Sequence, residues 1–133
     1  MGTLFEEMCI GSLRARNRLV RAATDDGHLT PELTAVCEEL AAGGAGTVIL
    51  GYAYVTPDEQ PNPRMLGIYD DSFVPEYREL VERLHSYDAR VVSQIVYGGS
   101  ATKLDPPSAR ILGPSAVPNP KTDIVPVEAS RGD

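Results

Sequence analysis

A chain of 133 residues, 42% of them hydrophobic, is long enough for one domain with a buried core. Its 12 basic and 19 acidic residues leave a net charge of -7, a field that repels phosphate and argues against nucleic acid as a partner. The longest apolar run, residues 44–55, falls short of the roughly 20 residues of a membrane helix, and Glu6 and Glu7 stand where a secretory leader would be basic. The expectation is a chain of the cytoplasm with no membrane contact. Cys9 and Cys37 have neither CxxC spacing nor a histidine close in sequence, so they read as reduced structural thiols and no metal site is signalled.

In chain order, residues 8–10 and 13–16 flank Gly11-Ser12, a pairing that predicts a small hairpin. Residues 18–23 predict a short strand ending in small residues, followed by the turn signal Asp25-Asp26-Gly27. Thr30 caps a helix over residues 30–42, with Pro31 at its first position and Glu32 in its positive end. Leu33, Val36, Cys37 and Leu40 recur on its expected apolar face, and Gly43-Gly44 stops it. Residues 46–55 are nearly continuously apolar, as in a parallel strand covered on both faces. The proline-rich, acidic loop that follows is long enough to suggest a function. Asp71-Ser72 begins a second helix over residues 72–87, with Phe73, Tyr77, Leu80, Val81 and Leu84 as its buried stripe. Residues 90–96 form a third parallel strand, ending at the turn Tyr97-Gly98-Gly99.

Residues 101–133 carry six of the 11 prolines and no amphipathic stretch, so they read as a proline-rich loop and tail without a core element. The strand-helix-strand-helix-strand order is a right-handed βαβαβ unit, which doubly wound sheets and (β/α)8 barrels share. The turn after the first strand lacks GxGxxG and GxxxxGKS, so no phosphate cradle is signalled there.

A series of motifs decides between the two architectures. Leu4-Phe5, Ile10-Gly11-Ser12-Leu13, Asn17-Arg18, Leu29-Thr30-Pro31, Gly43-Gly44-Ala45-Gly46, Gly67-Ile68-Tyr69-Asp70-Asp71, Gln94 and Pro114-Ser115-Ala116 follow one another in order. Together they resemble the N-terminal portion of the old yellow enzyme family, in its NADH:flavin oxidoreductase and enoate reductase branch. The resemblance covers about residues 3–128. It implies an α/β fold: an incomplete TIM (β/α)8 barrel with about three parallel strands, two helices and an N-terminal β-hairpin, residues 1–128 being its FMN-binding part. It also implies FMN at the carboxyl ends of the strands, reduced by NADH or NADPH and reoxidised by a small-molecule acceptor such as an activated alkene.

By the same resemblance, the cofactor-binding positions are Ala23 and Thr24, where the backbone lies along the flavin ring; Tyr52, on the ring wall; and Gln94, whose amide can donate and accept at the pyrimidine edge. On their own residue types, Ala22-Ala23-Thr24 read as a strand packed under a helix, Tyr52 as a core aromatic and Gln94 as a solvated strand-end amide. Asp25 stands where relatives often place cysteine, threonine or tyrosine near the flavin, and a carboxylate there would oppose the charge of reduced flavin; a plain solvated turn at Asp25-Asp26-Gly27 is the preferred reading. Tyr97 replaces a common histidine, and a phenol can still bond.

No catalytic residue is assigned, because the family's histidine pair, proton-donor tyrosine, flavin-side arginine and phosphate-binding strands all come later in its sequences, and a closed barrel needs about 250 residues. Two readings follow: an FMN-dependent oxidoreductase in truncated or split form, completed as a homo-oligomer or by a complementing chain, or a non-catalytic self-associating βαβαβ module. Open sheet edges, with inner faces at Val48, Leu50 and Val92, are the expected driving force for association.

Overall fold

The computed structural model of the chain describes residues 3–24, 27–60, 63–104, 107 and 110–132. Strands β1 (Met8–Ile10) and β2 (Leu13–Ala15) pair antiparallel, with Met8 opposite Ala15 and Ile10 opposite Leu13. The turn between them requires a left-handed residue, supplied by Gly11 at φ 58°. Strand β3 is only Val20–Arg21, shorter than the expected residues 18–23. At its start the Arg18 N–H donates to the Leu4 carbonyl and the Leu19 N–H to Asn17 Oδ1, so neither N–H serves the ladder, although the Leu19 carbonyl still accepts from the Gly46 and Thr47 N–H groups.

Helix α1 (Pro31–Ala42) begins as its sequence dictates, with Thr30 Oγ1 accepting from the Leu33 N–H at 3.2 Å. Its buried side is Leu33, Cys37 and Ala41, one residue in four. Val36 and Leu40, expected on that side, are 50% and 36% exposed, because only a narrow stripe of the helix meets the sheet and these two lie beside the short edge strand β3.

Strand β4 (Thr47–Tyr54) is central, with all its pairings parallel. Strand β6 (Arg90–Val96) runs along one side, while β3 and the short β5 (Leu66–Gly67) share the other. Helix α2 (Val74–His85) lies between β5 and β6 in sequence. It is preceded by a 3-10 turn, Asp71–Phe73, capped by Asp70 rather than by the expected Asp71-Ser72; Asp70 Oδ1 accepts from the Ser72 N–H at 2.9 Å. That hydrogen bonding holds the Asp70 carboxyl below its ordinary range.

The core joins Leu33, Cys37 and Ala41 of α1 and Leu80 and Leu84 of α2 to Val48, Leu50 and Ala53 of β4. Each buried leucine contributes about 2 kcal/mol by removal of apolar surface from water. Val48 and Leu50 therefore lie under the helices at 0% and 1% exposure, and not on an open inner face. The exposed apolar residues at the sheet edges are instead Val20 on β3 and Ile95 on β6, at 43% and 65%.

Two further segments are more ordered than their composition suggests. Within the proline-rich loop, β5 brings Gly67 against Tyr54, Tyr69 and Phe73, so closely that a Cβ there would sit 3.0 Å from the Phe73 ring. The Tyr77 hydroxyl donates to the Gly67 carbonyl at 3.1 Å, and burial, with the charge of Glu76, pushes that phenol up to about 12. In the tail, expected to lack regular structure, β7 (Leu112–Gly113) and β8 (Val127–Glu128) pair in parallel, and Ile111 is buried. No helix among the described residues is long and apolar enough to cross a membrane.

Candidate functional site

Because β3, β4 and β6 run parallel, their ends at Arg21, Tyr54 and Val96 face one rim. Ala23 and Thr24 continue the chain past β3. Tyr52 and Gln94 are direct cross-strand partners near the ends of β4 and β6. The half-buried Tyr52 owes its orientation to a β-bulge: between Ile49 and Tyr52 the strand has one residue more than β6 opposite. In a regular strand Leu50 and Tyr52 would share a face. With the bulge, Leu50 and Ala53 both meet the helices, and Tyr52 falls with Gln94 on the opposite side.

Arg21 ties the first strand end to this bulge. Its Nη1 donates to the Ile49 carbonyl at 3.0 Å, a group left without a strand partner on that side because β3 has ended, and its Nη2 donates to Thr24 Oγ1 at 2.5 Å. Thr24 is thereby held next to the strand that carries Tyr52. Gln94 and Thr24 are exposed and Ala23 is half-buried, so an amide, a hydroxyl and a small residue face the solvent side of the rim.

The rim is framed by the loop after β4 and the turn after β6. Glu59, in the first, is 2% exposed and accepts from the Gly98 N–H in the second at 3.2 Å. The Tyr97 hydroxyl accepts from the Leu112 N–H at 2.8 Å, so the phenol at this position anchors β7. His28 is exposed after the first strand and His85 is the exposed last residue of α2; they form no pair. Asp25 lies outside the described residues. Among the described residues no group of three or more His, Cys, Asp or Glu side chains could hold a metal ion, and neither Cys9, exposed, nor Cys37, buried, is in a disulfide.

A family profile described as NADH:flavin oxidoreductase / NADH oxidase matches residues 3–129. The chain belongs to this family. Among curated relatives, the NADPH dehydrogenase of Halalkalibacterium halodurans is 31% identical over 121 residues, 86% of this chain and 35% of that protein. The NADH oxidase of Thermoanaerobacter brockii is 34% identical over 106 residues, 74% of this chain and 16% of that protein. The chain thus spans about a third or less of these two relatives. Among solved structures, histamine dehydrogenase from Rhizobium sp. 4-9 superposes with a TM-score of 0.74 at 23% identity, over 98% of this chain and 21% of that one. Morphinone reductase, solved in complex with tetrahydroNAD, superposes with a TM-score of 0.73 at 18% identity, over 99% of this chain and 42% of that one. The old yellow enzyme of Trypanosoma cruzi gives 0.65 at 24%, over 97% and 42%. At these identities the superpositions show a shared fold, and the α/β architecture of this NADH:flavin oxidoreductase family member is the one those enzymes have over the same span.

Two residues of the rim escaped the sequence reading. Arg21 carried a signal, since a guanidinium inside an apolar strand must find acceptors. Glu59 sits among charged and proline residues, where an acid reads as solvated; only its burial distinguishes it.

Proposed function

We propose that this chain supplies one wall of the FMN site of a NAD(P)H-dependent flavin oxidoreductase, as a three-strand sector of a (β/α)8 barrel spanning residues 1–128. The observation that carries the reading is the pairing of Tyr52 with Gln94 at the rim, with Thr24 tied alongside through Arg21 and Ile49. The residues fit the group: Ala23 is small enough for close backbone approach to a planar ring, and the exposed Gln94 amide matches an edge that both donates and accepts. Sequential parallel strands with both helices on one face support the barrel sector.

Bound FMN would carry electrons from NADH or NADPH to a small-molecule acceptor, an activated alkene or similar compound. This chain's residues orient the ring: Ala23 and Thr24 along one flank, Gln94 at the pyrimidine edge, Tyr52 beside it. The phosphate is gripped by groups outside these 133 residues, because barrels of this kind bind it with the loops after their last two strands. Those groups come from a continuation of the barrel, a second copy or a complementing chain, acting in the cytoplasm without nucleic acid or membrane. A second reading, a self-associating module without flavin, is favoured by the exposure of Val20 and Ile95 on opposite edges of the sheet.

Titrating the labelled chain with riboflavin and with FMN tests the first reading. Equal, weak affinities for the two are expected, with resonance shifts centred on Ala23, Thr24, Tyr52 and Gln94. No shift at these four residues at millimolar riboflavin would sink it, and micromolar FMN binding by a monomer in light scattering would refute the external phosphate site.

A further inference from the structure

Glu59 is a carboxylate in a loop, yet it is 2% exposed, and its two oxygens differ. Oε2 accepts from the Gly98 N–H at 3.2 Å, across 39 residues of sequence. Oε1 is buried and, among the described residues, has no partner; nor has Thr56 Oγ1, on the same turn, where the Glu59 N–H donates to the Thr56 carbonyl. Burying a carboxylate is costly unless something compensates. Its place is therefore not that of a solvated loop acid.

Gly98 is shaped around it. Its backbone, φ -69° and ψ -34°, is ordinary right-handed helical geometry that any residue adopts, so conformation does not call for glycine. Space does: a Cβ at Gly98 would lie 2.6 Å from Glu59 Oε2 and 3.3 Å from the Thr102 backbone. The glycine and the carboxylate form a matched pair, and Gly98 is only four residues beyond Gln94.

We propose that Glu59 is a positioning residue: its carboxylate, seated in the space left by Gly98, locks the loop after β4 to the turn after β6 and thereby sets where β6 delivers Gln94 at the rim. Only the importance of Gln94 rests on the flavin reading; the lock itself is tested without flavin. Thermal unfolding is compared for the natural chain, Gly98→Ala, Glu59→Ala and the double variant. Gly98→Ala should lower Tm more when Glu59 is present than in the Glu59→Ala background, where only the 3.3 Å approach to the Thr102 backbone still opposes the gain from removing a glycine at a compatible conformation. Glu59→Ala should speed amide exchange at Gly98 about tenfold or more. It should also move the side-chain amide resonances of Gln94, and Glu59→Gln, which keeps an acceptor, should restore both. Equal Tm shifts in the two backgrounds, or unaltered Gly98 exchange in Glu59→Ala, would overturn the lock. A working lock with unmoved Gln94 resonances would overturn the positioning role. If these outcomes hold while riboflavin leaves the rim untouched, the flavin reading fails and the lock stands.

Discussion

At the amino-terminal end of the sheet, side chains are directed at backbone carbonyls. Arg16 donates to the Ala41 and Ala45 carbonyls around the end of α1, the buried Asn17 to the Gly44 carbonyl at 2.7 Å, and Arg90 to the Arg14 carbonyl of the hairpin at 2.6 Å. Even the space is taken: a Cβ at Gly46 would lie 2.3 Å from Asn17 Oδ1. At the carboxyl-terminal end Thr24 and Gln94 are exposed polar groups, and Arg21 bridges one strand end to the next through Ile49 and Thr24. The contrast teaches that the same three strands are sealed at one end and left available at the other, the division between stability and ligand binding expected of parallel sheets with helical crossovers.

Asn17→Ala should have the largest effect on that contrast. It removes a donor and an acceptor together, leaving the Gly44 carbonyl and Leu19 N–H without their partner, and is expected to cost about 3 kcal/mol in denaturant unfolding. A loss as small as that of a surface substitution would show that the sealed end does not carry the stability assigned to it. Arg21→Met, at the open end, should cost about 1–2 kcal/mol and chiefly loosen Thr24, seen as faster amide exchange at residues 22–24 with the hairpin unaffected. Uniform loosening of both ends would erase the distinction.

The alkaline limb offers a probe near the carboxyl-terminal end, where the Tyr77 hydroxyl bonds Gly67 of β5 opposite the last residue of β4. Tyr77 titrates at about 12 in the fold, against an ordinary 10.0. Below pH 10 the phenol is neutral in both states and its contribution is intact. Between about pH 10 and 12 the unfolded chain ionises first, so stability falls by on the order of 1 kcal/mol, allowing for the screening of a group that is only partly buried. Tyr77→Phe should flatten that limb in pH-dependent unfolding. Smallest of all, Gln94→Ala should stay within about 0.5 kcal/mol of the natural chain in stability while weakening riboflavin binding, the signature of a residue held for a ligand. A large loss of stability would return Gln94 to the framework.

What could be read from the residues alone was local. Thr30-Pro31 fixes the start of α1 by capping chemistry, Gly11-Ser12 fixes the hairpin, and the apolar run of β4 announces a strand covered on both faces. Features that depend on pairing were not visible. The late start of β3 goes with the Arg18 and Leu19 N–H groups being used elsewhere, and β5 is a two-residue ladder inside a loop whose prolines argue against it. Residues at the candidate site came from family motifs, whereas their arrangement depends on Arg21 and Glu59, whose partners lie 28 and 39 residues away.

The bulge in β4 also has a consequence for how this strand can change length. A deletion in a regular strand reverses the facing of every residue after it, so a single lost codon there would turn Tyr52 and Tyr54 toward the helices and Ala53 away from them. The bulge holds one residue of slack between Ile49 and Tyr52. Loss of Gly51 would draw on that slack, leaving Leu50 and Ala53 inward and Tyr52 beside Gln94. Leu50-Gly51 is thus the one point in β4 where the chain can shorten by a residue and keep its parity.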